Sequence, residues 1–190
     1  VVLMIGGPSH AGKTVLAQRL LELYGCPYLS LDWLKMGLIR SRYTDLTPED
    51  DEELRELLWP IVREMIKTAV ENCQDLVVEG VYLPFDWEKD FAPDYRKNIR
   101  FFCLVMTEHY IEHHFDEIKK YANAAEKRLD DSYCTKELVL ADNRRALELC
   151  RKNGCEYILT DGKYEVEKEI KRRLSGWMRG GQAGASAPAV

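Results

Sequence analysis

Gly7, Gly12, Lys13 and Thr14 stand in the spacing G-x-x-x-x-G-K-T, inside the stretch "MIGGPSHAGKTVL". Residues of these types at this spacing are suited to holding a dense oxyanion. Glycines let the backbone turn its N–H groups inward and approach closely, and the start of a following helix adds a positive end. The Lys13 ammonium can reach the β- and γ-phosphates of a nucleotide, and the Thr14 hydroxyl suits Mg²⁺. Gly7, Pro8, Ser9, His10, Ala11, Gly12, Lys13, Thr14 and Val15 are therefore assigned to ATP binding. His10 reads as a backbone-positioned, partly exposed residue rather than a catalytic one.

Two carboxylates complete the candidate chemistry. Asp32 follows the short apolar stretch "PYLSL", at the carboxyl end of an expected strand, where α/β proteins bind ligands. A carboxylate there can orient or deprotonate an acceptor hydroxyl, and it can also cap the helix "WLKMGLIR". Lys35 and Arg40 follow at helical spacing, as ligands for an anionic acceptor or as solvated charges. Glu79 closes "DLVVE" and is placed to hold Mg²⁺, directly or through water, or to touch the acceptor. Gly80 would let a ligand come close, and Tyr82 is either pocket wall or core.

The elements that must position these groups follow from the apolar pattern. Residues 1–5, 27–32, 75–80, 98–106 and 156–162 read as strands. Helical spacing covers 13–25, a long segment from Thr47 to about residue 74, 108–129, 135–152 and 166–178. Thr47 is the expected cap of the long helix, with acids in its first turn, and Pro60 is expected to kink or divide it. Strands alternating with helices imply parallel pairing and right-handed crossovers.

The whole-chain balance narrows the class. The chain has 190 residues and a net charge of -5, which argues against a broad nucleic-acid face. No apolar run approaches membrane-spanning length, and the start lacks the basic region of a signal peptide, so a cytoplasmic protein is expected. The six cysteines form no C-x-x-C pair and read as reduced, partly buried thiols. His113 and His114 are adjacent and face different sides of a helix, so they make no metal site without a partner one turn away. The last stretch, 179–190, is expected to be a disordered tail. The guanine motif N-K-x-D of GTPases does not occur, and Glu79 stands alone where many ATPases carry an acidic pair.

With that phosphate loop, five strands and a basic region after the fourth, the chain resembles the nucleoside-monophosphate-kinase group of P-loop kinases. That group includes shikimate kinase, zeta-toxin-like kinases and 2-phosphoglycerate kinases. The resemblance spans about residues 1–175, and the phosphate loop is its specific motif. It implies a three-layer P-loop NTPase fold, with a five-stranded parallel sheet of order 2-3-1-4-5 and a helical lid. One kinase domain over 1–178 is implied, with an acceptor region at about 33–60 and the lid at about 108–134. The implied catalytic residues are Lys13, Asp32 and a lid arginine, Arg128, with Arg144 as the next candidate. Asp161, Gly162 and Lys163 fall where the group cradles the adenine. The implied partners are Mg²⁺·ATP and a small-molecule acceptor, anionic or a nucleotide. The alternatives are a nucleotide-binding regulator without transfer and a toxin-like sugar-nucleotide kinase.

Overall fold

The computed structural model describes residues 1–122, 134–162 and 165–174. Five strands form one sheet: β1 (Val2–Gly6), β2 (Tyr28–Ser30), β3 (Leu76–Glu79), β4 (Ile99–Met106) and β5 (Glu156–Thr160). Their order is β2-β3-β1-β4-β5, and every pairing is parallel. The helices are α1 (Lys13–Tyr24), α2 (Leu31–Arg40), α3 (Asp51–Glu71), α4 (Pro93–Arg96), α5 (Glu108–Ala122), α6 (Lys136–Asn153) and α7 (Val166–Arg173). A short 3-10 turn covers Trp87–Asp90.

Alternation along the central strands builds the three layers. On one face Val2, Met4, Val78, Phe101, Cys103 and Val105 pack with Leu54, Leu58, Val62 and Ile66 of α3 and with Ala146 and Cys150 of α6. On the other, Leu3, Ile5, Val77, Phe102 and Leu104 pack with Leu16 and Leu20 of α1 and with Val166 and Ile170 of α7. A strand covered on both faces must be apolar at every position, which is why all five residues of β1 are buried.

Several boundaries differ from the sequence pattern for local reasons. α3 starts at Asp51 and Asp50 is its cap position. Thr47 instead closes a small turn, in which its N–H and hydroxyl both donate to Asp50 Oδ2, at 2.7 and 2.8 Å. α3 runs through Pro60 undivided. Pro60 is exposed, so the carbonyl that loses its partner there can turn to water. β2 ends at Ser30 and α2 begins at once, which puts Asp32 inside the first helical turn rather than at the cap. α5 is irregular at His114, with φ -124 and ψ 18. Residues 123–133 of the expected lid and the expected tail lie outside the described residues, and all six cysteines are free.

Candidate active site

Because all the strands are parallel, the segments that leave their carboxyl ends collect on one edge of the sheet. The glycine loop follows β1, Asp32 follows β2, Glu79 ends β3, Thr107 follows β4 and Asp161 follows β5. In this way the fold gathers residues up to 154 positions apart without any of them being close in sequence.

The loop is built for close approach. Gly7 has φ 131, and a Cβ there would stand 2.4 Å from the Leu104 carbonyl oxygen, so the loop lies flat on β4. His10 and Gly12 also have positive φ, 66 and 85. Gly12 occupies the cap position of α1, and no side chain caps that helix. The amides of a helix's first turn, at its positive end, are suited to an anion. Lys13 is buried, and its Nζ donates to the Pro8 carbonyl at 2.7 Å, across the mouth of the loop.

A buried carboxylate touches this loop. Glu79 is 1% exposed and accepts a hydrogen bond from Thr14 Oγ1 at 3.1 Å. Burial raises its pKa above the ordinary carboxylate range, and the Lys13 ammonium opposes that shift. The negative charge of Asp32 adds to the rise. Ser30, opposite Glu79 in the β2–β3 register, is also buried. Its hydroxyl lies close enough to favour the ionised carboxylate, yet makes no hydrogen bond of regular geometry. A hydroxyl and a carboxylate beside a triphosphate cradle form a hard-oxygen donor set that fits Mg²⁺.

Asp32 is half-exposed, with Oδ1 3.0 Å from Lys35 Nζ. Lys35 also donates to Tyr82 Oη at 3.2 Å, and Tyr82 donates to Asp51 Oδ1 at 2.9 Å. The chain Asp32–Lys35–Tyr82–Asp51 ties α2, the segment after β3 and the start of α3 together. Lys35, expected to meet an anionic acceptor, is thus already occupied by Asp32 and Tyr82. Burial raises the Tyr82 pKa to about 12, so its hydroxyl remains a donor.

The other assigned residues fall as follows. A Cβ on Gly80 would stand 2.6 Å from the Leu31 Cβ, so this glycine is explained by packing at the start of α2. Arg40 is exposed in the last turn of α2. Arg144 is exposed and donates to Glu108 Oε1 from Nε and Nη2, at 3.0 and 2.7 Å. Asp161 accepts from Thr107 Oγ1, which itself caps α5 through the Tyr110 N–H, and Gly162 has open space around it. Arg128 and Lys163 lie outside the described residues.

Asp51 and Asn143 are the residues that pattern reading missed. Asn143 is buried on α6, where Oδ1 accepts from the Met106 N–H and Nδ2 donates to the Val139 carbonyl, fixing the end of β4. An asparagine in the middle of a helix, at a core-facing position, is the signal that could have marked it. A cleft of about 650 Å³ opens elsewhere, among Phe85, Arg96, Arg100, Gly154 and Glu156 near the amino ends of β4 and β5. Its charges are mixed, and it opens at the amino ends of these strands, away from the carboxyl ends that the glycine loop, Asp32 and Glu79 follow.

Sheet order, loop and carboxylates together define the fold of the P-loop small-molecule kinases. Similar solved structures carry the same fold. The tunicamycin resistance protein of Deinococcus radiodurans matches with TM-score 0.56 and 14% identity, over 92% of this chain and 95% of that one. A gluconokinase from Sinorhizobium meliloti matches at 0.55 and 15%, over 93% of each chain. Deoxyadenosine kinase from M. mycoides, with dCMP bound, matches at 0.55 and 13%, over 93% and 98%. No family model matches the chain, and no curated protein matches its sequence.

Proposed function

We propose that this protein is a kinase that transfers the γ-phosphoryl group of Mg²⁺·ATP to a hydroxyl of a small molecule. The observation that carries this reading is the contact of Thr14 Oγ1 with buried Glu79 at 3.1 Å, beside a glycine loop spanned by the Lys13 ammonium. The amides of the loop and of the first turn of α1 bind the phosphates. Lys13 leaves the Pro8 carbonyl for the β- and γ-phosphates, an exchange of one oxygen acceptor for a more charged one. Thr14 and Glu79 hold the cation, which neutralises charge on the phosphates when bound. Asp32 accepts or orients the proton of the acceptor hydroxyl, and Lys35 fixes the direction in which that carboxylate points.

The acceptor reading rests on the charges around Asp32. Asp32, Asp51 and Glu79 stand there against Lys13 and Lys35, three carboxylates to two ammonium groups, and Lys35 is held by Asp32 and Tyr82. This supports a neutral, hydroxyl-bearing acceptor more than the anionic metabolite or nucleotide that Lys35 and Arg40 imply in sequence. Names among the similar structures, a gluconokinase and a deoxyadenosine kinase, fit a hydroxyl acceptor of either kind.

The test is ATP consumption with Mg²⁺ against pools of polyols, sugars, nucleosides and phosphorylated metabolites, with Lys13→Ala as the blank. Acceptor-stimulated ADP release that vanishes in the blank supports the kinase. Saturable ATP binding with no stimulation by any pool would favour a nucleotide-binding regulator instead.

A further inference from the structure

The sequence pairs His113 with His114, but α5 pairs it with His109. These two imidazoles stand one turn apart on an exposed helix face, with ring centroids 4.3 Å apart and planes inclined by 47°. We propose that His109 and His113 form a two-imidazole binding site for a borderline d-block dication, of the Ni²⁺, Cu²⁺ or Zn²⁺ class. This site is separate from the Mg²⁺ position at the phosphate loop.

Three observations carry it. Residues at i and i+4 share one helix face, the spacing by which two histidines on a helix chelate one ion. The tautomer of His113 is dictated by its partner. Its Nδ1 lies 2.8 Å from the His109 carbonyl oxygen, which can only accept. In the neutral imidazole Nδ1 therefore carries the proton and Nε2 the lone pair, the arrangement by which a backbone carbonyl orients a metal-ligating imidazole. Finally, Glu112, three residues on from His109 and before the irregularity at His114, is exposed beside them.

The same geometry sets the selectivity. Among the described residues no group of three His, Cys, Asp or Glu side chains converges, so water completes the coordination and the ion exchanges readily. Two imidazoles favour late first-row dications in the order that peaks at copper, whereas Mg²⁺ prefers an oxygen shell. His114 takes no part. It stacks on Tyr110 with centroids 4.7 Å apart, and its Nδ1 lies 3.2 Å from Glu117 Oε2.

The experiment is calorimetric titration of the full chain, carrying no polyhistidine tag, with Ni²⁺ in excess Mg²⁺. One equivalent should bind, and either His109→Ala or His113→Ala should weaken binding at least about tenfold, since even outer-shell partners of a metal cost that much. His114→Ala and Cys73→Ser, the latter removing an exposed thiol, should leave the affinity unchanged. The proposal is overturned if no Ni²⁺ binds, if Mg²⁺ displaces it, or if His114→Ala or Cys73→Ser weakens it as much as the paired histidines do. Circular dichroism of the alanine variants, matching that of the parent chain, separates loss of ligands from loss of the helix.

Discussion

Thr14 Oγ1 donates to Glu79 Oε1 at 3.1 Å, a contact that joins the first turn of α1 to the end of β3 across 65 residues of chain. It fixes the hydroxyl of the phosphate loop against a carboxylate that burial holds partly towards its neutral form. The parallel pairing of β1 with β3, Ile5 opposite Glu79, makes that contact possible. Function and stability pull against each other at this pair.

The conflict has a measurable sign. The folded pKa of Glu79 is raised above its ordinary 4.5, so the folded state holds its proton to higher pH than the unfolded state does. Stability from this group is full below the unfolded pKa and is lost as pH rises through the folded one, at about 1.4 kcal/mol for each unit of difference. Glu79→Gln should therefore raise the melting temperature at neutral pH, and the gain should shrink as the buffer is acidified. The same variant should lose Mg²⁺-dependent ATP turnover. Melting curves of both proteins across the pH range check the first outcome, and a Gln variant that melts lower than the parent at neutral pH would refute it.

Asp32 is expected to act on the acceptor and not on the nucleotide. Asp32→Asn should cut kcat by about 10²–10⁴-fold while ATP affinity is unchanged. Acceptor-dependent ADP release and ATP titration, run on one preparation, separate the two. An equal fall in ATP affinity would reassign the residue to the nucleotide.

The glycines of the loop and of the α6 terminus make a controlled pair. Gly7→Ala forces an alanine to φ 131 with its Cβ 2.4 Å from the Leu104 oxygen, and should cost about 3 kcal/mol or more. Gly154→Ala meets no atom within 4 Å at φ 67 and should cost only about 1 kcal/mol. Urea midpoints of the two variants should differ accordingly, and similar midpoints would count against the tight seating of the loop on β4.

Tyr82→Phe removes the hydroxyl that accepts from Lys35 and donates to Asp51. A half-buried network that loses its middle member should cost about 1–3 kcal/mol, read as a shift in the denaturation midpoint. No shift would mean that water replaces the hydroxyl at no net cost and that Tyr82 serves only as packing.

Contiguous residues carry what can be read before the chain folds. The phosphate loop was legible because its glycines, lysine and threonine act through local backbone geometry and one helix start. The five strands were legible because burial on both faces leaves continuous apolar runs, and α3 because Leu54, Leu58, Val62 and Ile66 repeat at four. Only the tertiary structure decided the pairings between segments. The turn of α2 and the segment after β3 set Asp32 and Tyr82 around Lys35. The start of α2 sets Leu31 where a side chain on Gly80 would stand. His113 lacked a partner until the turn of α5 brought His109 over it. Each of these depends on which side chain a register or a helix turn sets within a few ångströms. At that range, hydrogen bonding, desolvation and steric contact outweigh the identity of the residue alone.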